Sequence, residues 1–432
     1  MRGALSRAVG TFIVHDQAPL YSFFNADQIV DFLLSIGMRP FVELSFMPAA
    51  LASGDRTVFR YRGNVTPPID YGAWGELVRG LVAHWKQRYG TEEVERWHFE
   101  VWNEPNLEDF WAGTQQDYWR LYRHAAQAVK SVDPSFRVGG PATARNEWIA
   151  EFLDFCEREA VPADFVSTHH YPTDALGNEK DDTESQLSQG RRGLLRDQAR
   201  RARQEAGQRP LLYTEWNTSS NPRDRLHDQP YAAAFIVKTV MEMSGLVESY
   251  GFWTFTDLFA ENYFPSVPFH GGFGLLNLHG IAKPSYRAFE LLHRLGRREL
   301  RVEGAHPTVD VWVVRKGQAL TVLLTNHALP RHSIATESIE VRLGNAPAPH
   351  GARIERIDED HANARVEWLH MGSPEYLRRA DIERLQEASV MTTQSCPLSY
   401  ADGTIVLRVE LPPHAVAAVT LELAAGVRRA RR

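Results

Sequence analysis

Cysteine is scarce: 432 residues hold only Cys156 and Cys396. A disulfide framework is therefore excluded, and the fold must be held by its own core. Cys156 lies in EFLDFCER with apolar neighbours at helical spacing, the setting of a small packing residue. No apolar run approaches the roughly 20 residues that a membrane span needs. The apolar stretch in MRGALSRAVGTFIVHD is broken and lacks a small-residue cleavage site, so a secretory leader is not expected and the expected location is cytoplasmic. A basic excess is missing too. Lys and Arg number 48 against 54 Asp and Glu, for a formal charge of -6. Nucleic acid and anionic membrane call for concentrated Lys and Arg, so neither is expected as a partner. The one basic run, Arg428 to Arg432, reads as a solvated tail. No internal repeat stands out, and oligomeric state leaves no trace in the sequence.

What is present fits a barrel of about 250 residues with a smaller domain after it. From residue 25 to about 295, short apolar runs alternate with longer amphipathic segments, the pattern of a parallel sheet wrapped by helices. Strands are expected at Pro40 to Leu44, His98 to Val101, Phe136 to Val138, Phe165 to Thr168, Pro210 to Tyr213 and Ser249 to Phe255. Helices are expected at Asp27 to Ile36, Tyr71 to Tyr89, Gln115 to Val132, Glu147 to Glu159, Ser188 to Glu205, Tyr231 to Ser244 and Tyr286 to Leu295. After Leu295 the texture changes. VDVWVV, ALTVLLTN, SIEVRL, RVEWLH, TIVLRVEL and AVAAVTLEL are short runs divided by Gly, Pro, Asn and Asp, which predicts an antiparallel sandwich with one helical insertion at Ala380 to Ala388. Trp312 and Trp368 fall within those strand patterns and are expected in its core. The division is thus 1–297 and 298–432.

Two stretches carry the chemistry. His98 to Asn106 (HFEVWNEPN) and Leu211 to Ser219 (LLYTEWNTS) each place one glutamate just after a run of strand-forming residues. Two carboxyl groups on separate strand ends are the minimum equipment for breaking a glycosidic bond. In a retaining enzyme one protonates the departing oxygen while the other attacks the anomeric carbon, with the pair roughly 5 Å apart. Glu104 sits in a Trp-Asn-Glu-Pro turn, where Asn103 can offer its amide to a sugar hydroxyl, and is the candidate acid/base. Glu215 is the candidate nucleophile. A lone glutamate would ordinarily be a surface carboxylate. The Trp and Asn around both of these, at strand ends, favour catalysis. Eleven Trp and fourteen Tyr would supply flat platforms for sugars, although large cores use the same residues. This chemistry needs no cofactor, and the expected partner is a small oligosaccharide or glycoside.

These residues resemble glycoside hydrolase family 39, the β-xylosidases and their relatives. The family belongs to the clan of retaining barrel enzymes with an Asn-Glu acid/base at the end of the fourth strand. FVELSFMPAAL (Phe41 to Leu51), GNVTPPIDYGAW (Gly63 to Trp74), FEVWNEPNLEDFW (Phe99 to Trp111), VGGPAT (Val138 to Thr143), YTEWNTS (Tyr213 to Ser219), FWTFTDLF (Phe252 to Phe259) and FHGGFGL (Phe269 to Leu275) all look like that family. The likeness extends from about Pro19 to Leu423. It implies a (β/α)8 TIM-type barrel, acid/base and nucleophile roles for Glu104 and Glu215, and a retaining β-xylosidase. STHHYP would place His169 and Tyr171 beneath the sugar, with the tyrosine hydroxyl bonded to the nucleophile. Trp253 looks like the floor on which the sugar stacks, with barrel packing as the alternative. Glu261 fits a carboxylate receiving sugar hydroxyls, Phe46 a wall of the same subsite, and His270 a loop closing over it. The adjacent His169 and His170 also invite a metal reading. Neighbouring strand residues point to opposite faces, so no metal is expected.

The likeness has one gap. Family members begin with two further strands, the second ending in an Arg-x-His-Gly pattern, and neither is found here; Arg7 to Phe23 looks like the connection that follows them. Three outcomes are open: Thr11 to His15 partly fills the gap, the barrel is open on one side, or the working protein is longer than this chain, which is the favoured expectation. The alternatives in function are an iduronidase or exopolysaccharide hydrolase, or a catalytically weak sugar-binding remnant. A uronic acid would need a basic group, and the strand-end motifs contain no Lys or Arg.

Overall fold

The computed structural model describes residues 12–15, 18–175, 182–259, 261 and 265–424. Residues 1–11, Thr11 among them, and the tail at Arg428 to Arg432 lie outside that set. The core of the first half is a six-stranded parallel sheet: β1 (Phe41–Leu44), β2 (His98–Val101), β3 (Arg137–Thr143), β4 (Phe165–His170), β5 (Leu211–Trp216) and β6 (Ser249–Phe252), paired in that order. All six expected strands are found. The helices α1 (Phe24–Ser35), α2 (Tyr71–Tyr89), α3 (Gln115–Val132), α4 (Ile149–Arg158), α5 (Leu194–Ala206), α6 (Pro230–Glu242) and α7 (Pro284–Arg294) alternate with them.

Local chemistry sets these elements. Asp70 caps α2 by accepting from Gly72 and Ala73 N–H, and Thr114 with Asp117 forms a capping box on α3. Along α2, Trp74, Val78, Leu81 and Trp85 recur on one buried face. They pack with Val42, Leu44, Phe99, Val101 and Val138, the residues on the helix side of the sheet. Their strand neighbours Glu43 and Glu100, opposed in register, face the other side of the sheet. Gly139 is required where β3 meets β4, because a Cβ there would come within 2.5 Å of Phe165.

Several expectations are corrected. Ser188 to Glu205 is not one helix: Thr183–Ser188 ends before Gly190, and α5 starts after Gly193, whose φ of 78° is left-handed. Phe12–His15 does not extend the parallel sheet, since it pairs with Ala18–Tyr21 as a separate hairpin. Among the described residues β1 and β6 remain edge strands. The helix α1 leaves Phe24 and Phe32 more than 60% exposed.

The C-terminal part holds β7 (Arg298–Leu300), β8 (Val309–Lys316), β9 (Ala319–Asn326), β10 (Glu337–Leu343), β11 (Pro349–Ile357), β12 (Gln394–Ser395), β13 (Leu398–Ala401), β14 (Thr404–Leu411) and β15 (Val416–Leu423). They form two antiparallel sheets, β7-β8-β9-β15-β11-β12 and β10-β14-β13. The sheets share a core of Val322, Leu324, Val419 and Leu421 from one, and Ile405, Leu407 and Val409 from the other. RVEWLH is a helix (Ala364–His370), not a strand. Val366 and Trp368 suggested a period of two, but the buried pair is Ala364 and Trp368, four apart, so Trp368 packs with Phe269 and Leu385 rather than in the core between the two C-terminal sheets. The strand β11 was hidden in PHGARIERI by its Gly, Pro and charges. Among the described residues no helix is long and apolar enough to cross a membrane.

Candidate active site

The C-terminal ends of β2 to β6 converge on a cavity of about 620 Å³ lined by Glu104, Tyr171, Glu215, Trp253 and Glu261. In parallel sheets this is the end where sites are built. Glu104 follows β2 with φ of 43°, and Trp102 before it has φ of 72°. Both are left-handed, at a cost on the order of 1–3 kcal/mol each. The strain is held by the Glu104 N–H donating to Ala142 O at 2.8 Å and by the Trp102 indole donating to Phe110 O at 2.9 Å. Glu104 and Glu215 are 7% and 5% exposed. Glu104, His169 and Glu215 bring one ligand atom each to within 4.8 Å of one another. A metal could use such a trio, but the two carboxyls stand at the spacing of a catalytic pair and account for it without one.

His169 Nδ1 lies 3.0 Å from Glu104 Oε1 and 3.7 Å from Glu215 Oε1. The Tyr171 hydroxyl donates to Glu215 Oε2 at 2.9 Å, which favours the ionised carboxylate. Asn103 is fully buried, and neither atom of its amide finds a hydrogen-bond partner among the described residues. Buried amides are normally satisfied, so this one is suited to a ligand. His170 points away: its Nε2 lies 2.6 Å from the Tyr250 hydroxyl, and it stacks on Tyr213. Burial, and to a lesser degree the neighbouring His169, pushes it down to about 3, so it is neutral. The expectation that the two histidines cannot chelate together agrees with this.

Trp253 follows β6, its N–H donating to Trp216 O at 2.9 Å and its carbonyl accepting from Asn217 Nδ2. Phe46 does not line the cavity. It is wholly buried behind Phe59, which does, at a ring separation of 6.3 Å. His270 also stays off the wall, its Nδ1 lying 3.0 Å from Val267 O; Phe273 from the same loop lines the cavity instead. That loop is anchored by Lys283, buried between Asp228 at 2.7 Å and Asp257 at 2.8 Å.

Sequence reading missed Phe59, Arg145, Asp174 and Asn221, all on the cavity wall. Arg145 lies two residues beyond VGGPAT, and Asp174 three beyond Tyr171. Proximity to a recognised strand end was the available signal. Burial raises Asp174 to about 6; the Ser220 hydroxyl opposes this, Glu104 adds to it, and Arg145 opposes it. Above pH 6 Asp174 is therefore ionised on the cavity wall, near Glu104. Asp174→Asn is expected to remove a titration near pH 6 from the kcat/KM profile. A profile unchanged around pH 6 would exclude a part for Asp174 in turnover.

A family model, Glycosyl hydrolases family 39, matches residues 1–404. The chain is 49% identical over 407 residues, 93% of it and 83% of the relative, to a beta-xylosidase of Caldicellulosiruptor saccharolyticus. It is 38% identical over 441 residues, 97% of it and 85% of the relative, to a beta-xylosidase of Geobacillus stearothermophilus. Among solved structures, the GH39 enzyme from Xanthomonas axonopodis pv. citri superposes with a TM-score of 0.85 at 31% identity, covering 98% of this chain and 87% of that one. With Asn103–Glu104 and Glu215 at facing strand ends and these matches along nearly its whole length, the chain belongs to glycoside hydrolase family 39.

Proposed function

We propose that this protein is a retaining, exo-acting β-xylosidase that releases xylose from short xylo-oligosaccharides. The observation that carries the reading is the spacing of Glu104 and Glu215, whose nearest carboxyl oxygens fall within 4.8 Å. Inverting enzymes hold their pair roughly 6.5–9.5 Å apart to seat a water, whereas about 5–5.5 Å suits direct attack. Glu215 attacks the anomeric carbon as Glu104 gives its proton to the departing oxygen. Water then enters from the vacated side, Glu104 takes its proton, and the bond to Glu215 breaks. Tyr171 keeps Glu215 ionised, Asn103 and Glu261 bind sugar hydroxyls, and Trp253 lies under the ring. The names of the two relatives support xylose as the sugar.

We place the six parallel strands in a (β/α)8 barrel whose two remaining strand positions lie between β1 and β6. Residues 1–297 form its catalytic unit and 298–432 an accessory sandwich. The edge position of β1 among the described residues and the apolar side chains that α1 leaves exposed support this. A second reading rests on Arg145, the basic group that the strand-end motifs lacked and a uronic acid would need.

The test compares turnover of nitrophenyl xyloside, arabinoside and glucoside, with methylumbelliferyl iduronide added. We expect xyloside to lead. Preference for the iduronide would favour the second reading, and sugar binding without turnover would leave a binding remnant. The anomer of the first product, read by NMR, should be retained; inversion would refute the covalent intermediate.

A further inference from the structure

A line of hydrogen bonds runs from the catalytic pair into the barrel interior. His169 Nε2 lies 3.1 Å from the Thr214 hydroxyl, and that hydroxyl donates to Glu100 Oε1 at 2.8 Å. Glu100 is 1% exposed and lies near the C-terminal end of the same strand that delivers Glu104, four residues before it. The groups facing it are Glu43 on β1, Ser167 and His169 on β4, and Thr214 on β5, with Tyr118 of α3 behind the strand. Glu43 itself receives the Ser45 hydroxyl at 2.6 Å. His169 faces Glu104 and Glu215 through its other nitrogen, and Asp174 lies within reach of its charge. The site proposed above uses Glu104, His169 and Glu215 but leaves Glu100 and Thr214 without a task.

The chain has a direction. A threonine hydroxyl has one proton to give, and a carboxylate can only accept. Thr214 therefore donates to Glu100 Oε1, which accepts whether or not the other carboxyl oxygen carries a proton, and its lone pair receives a proton from His169 Nε2. Neutral His169 is then left with a bare Nδ1 lone pair aimed at Glu104 Oε1. A lone pair 3.0 Å from a carboxylate oxygen is repulsive, while the same lone pair accepts a carboxylic acid proton. We infer that Glu100 is a positioning residue which, through Thr214, fixes the proton of His169 on Nε2 and so keeps Glu104 in its acid form for the first step. The tautomer of a histidine is set in general by what its second nitrogen touches. Burying a carboxylate at this depth is costly, and burial does raise Glu100. A residue kept at that cost, in line with the acid, has a use.

The inference rests on the acid/base role of Glu104, and its test separates the two. Thr214→Val breaks the line, Thr214→Ser preserves it, and Glu100→Gln replaces the carboxyl by an amide that can either give or take. In imidazole 15N spectra of histidine-labelled protein, we expect the proton of His169 on Nε2 in the wild type and in Thr214→Ser, and on Nδ1 in Thr214→Val. That spectrum does not depend on which sugar is cleaved. In kinetics, Thr214→Val and Glu100→Gln should lower the basic limb of kcat/KM by on the order of one pH unit. The loss at neutral pH should be larger on xylobiose, whose leaving group needs the acid, than on dinitrophenyl xyloside, which needs it little. Thr214→Ser should restore the profile. An unchanged tautomer in Thr214→Val would overturn the inference, as would an equal loss on both substrates, which marks a merely structural role. A wild type without xyloside hydrolysis would instead remove the functional reading and leave the tautomer result standing.

Discussion

Glu215→Ala is expected to lower kcat on nitrophenyl xyloside by on the order of 10⁴-fold or more, the scale on which covalent nucleophiles act. Azide should restore part of the turnover, because a small anion fits where the carboxylate was and attacks the anomeric carbon from the same side. The product would be the α-xylosyl azide, inverted in one displacement. Glu104→Ala should differ in kind. Its loss, about 10²–10⁴-fold, should appear on poor leaving groups and shrink on dinitrophenyl xyloside. Azide would then intercept the glycosyl-enzyme from the opposite side and give the β-azide. Product stereochemistry read by NMR thus assigns each glutamate separately. The same anomer from both variants would refute the assignment, whatever the rates.

The largest expected effect on stability is at Lys283. It is wholly buried, 2.7 Å from Asp228, 2.8 Å from Asp257 and 2.9 Å from the carbonyl of Gly272. The two aspartates in turn accept from Gly271 N–H at 2.6 Å and Gly274 N–H at 2.8 Å. Burial lowers the lysine, and the two carboxylates outweigh it, so that the net shift is upward and the group stays charged. Lys283→Met leaves two aspartates without their cation and should cost about 3–5 kcal/mol in urea denaturation. Because the anchored loop carries Phe273 to the cavity wall, kcat/KM should fall as well. Adding Asp257→Asn should recover part of the stability. A loss below about 1 kcal/mol would mean that water reaches the triad.

The parts of this fold that were legible in the sequence are those with a strong local period. The helices Tyr71–Tyr89 and Gln115–Val132 matched their expected ends because caps and apolar faces agreed. The parallel strands were legible because buried strands read as apolar runs. RVEWLH failed because six residues fit either period, and only contact with Phe269 and Leu385 decides between them. The two glutamates and Tyr171 were found through motif likeness joined to strand-end position. Arg145 and Asp174 were not, since they lie on short irregular turns whose direction depends on left-handed backbone such as Arg145 at φ 65°. Phe46 was misplaced for a related reason. A motif marks which ring belongs near the site but not which of two rings in edge-to-face contact faces it.

The sheet β7-β8-β9-β15-β11-β12 has a consequence for how the whole molecule comes apart. One face carries Val322, Leu324 and Leu421 into the sandwich core, while the other lays Leu323, Ile357, Val416 and Ala418 against Phe235 and Ile236 of α6 and Leu291 of α7. Arg192, between Thr183–Ser188 and α5, adds hydrogen bonds to the carbonyls of Pro307 and Thr308. Along that face the C-terminal sheet packs directly on the helices α6 and α7, apolar side chain against apolar side chain. Two parts joined through a shared apolar cluster of this kind are expected to unfold in urea as one cooperative block, the C-terminal sheet and the catalytic residues lost in a single transition.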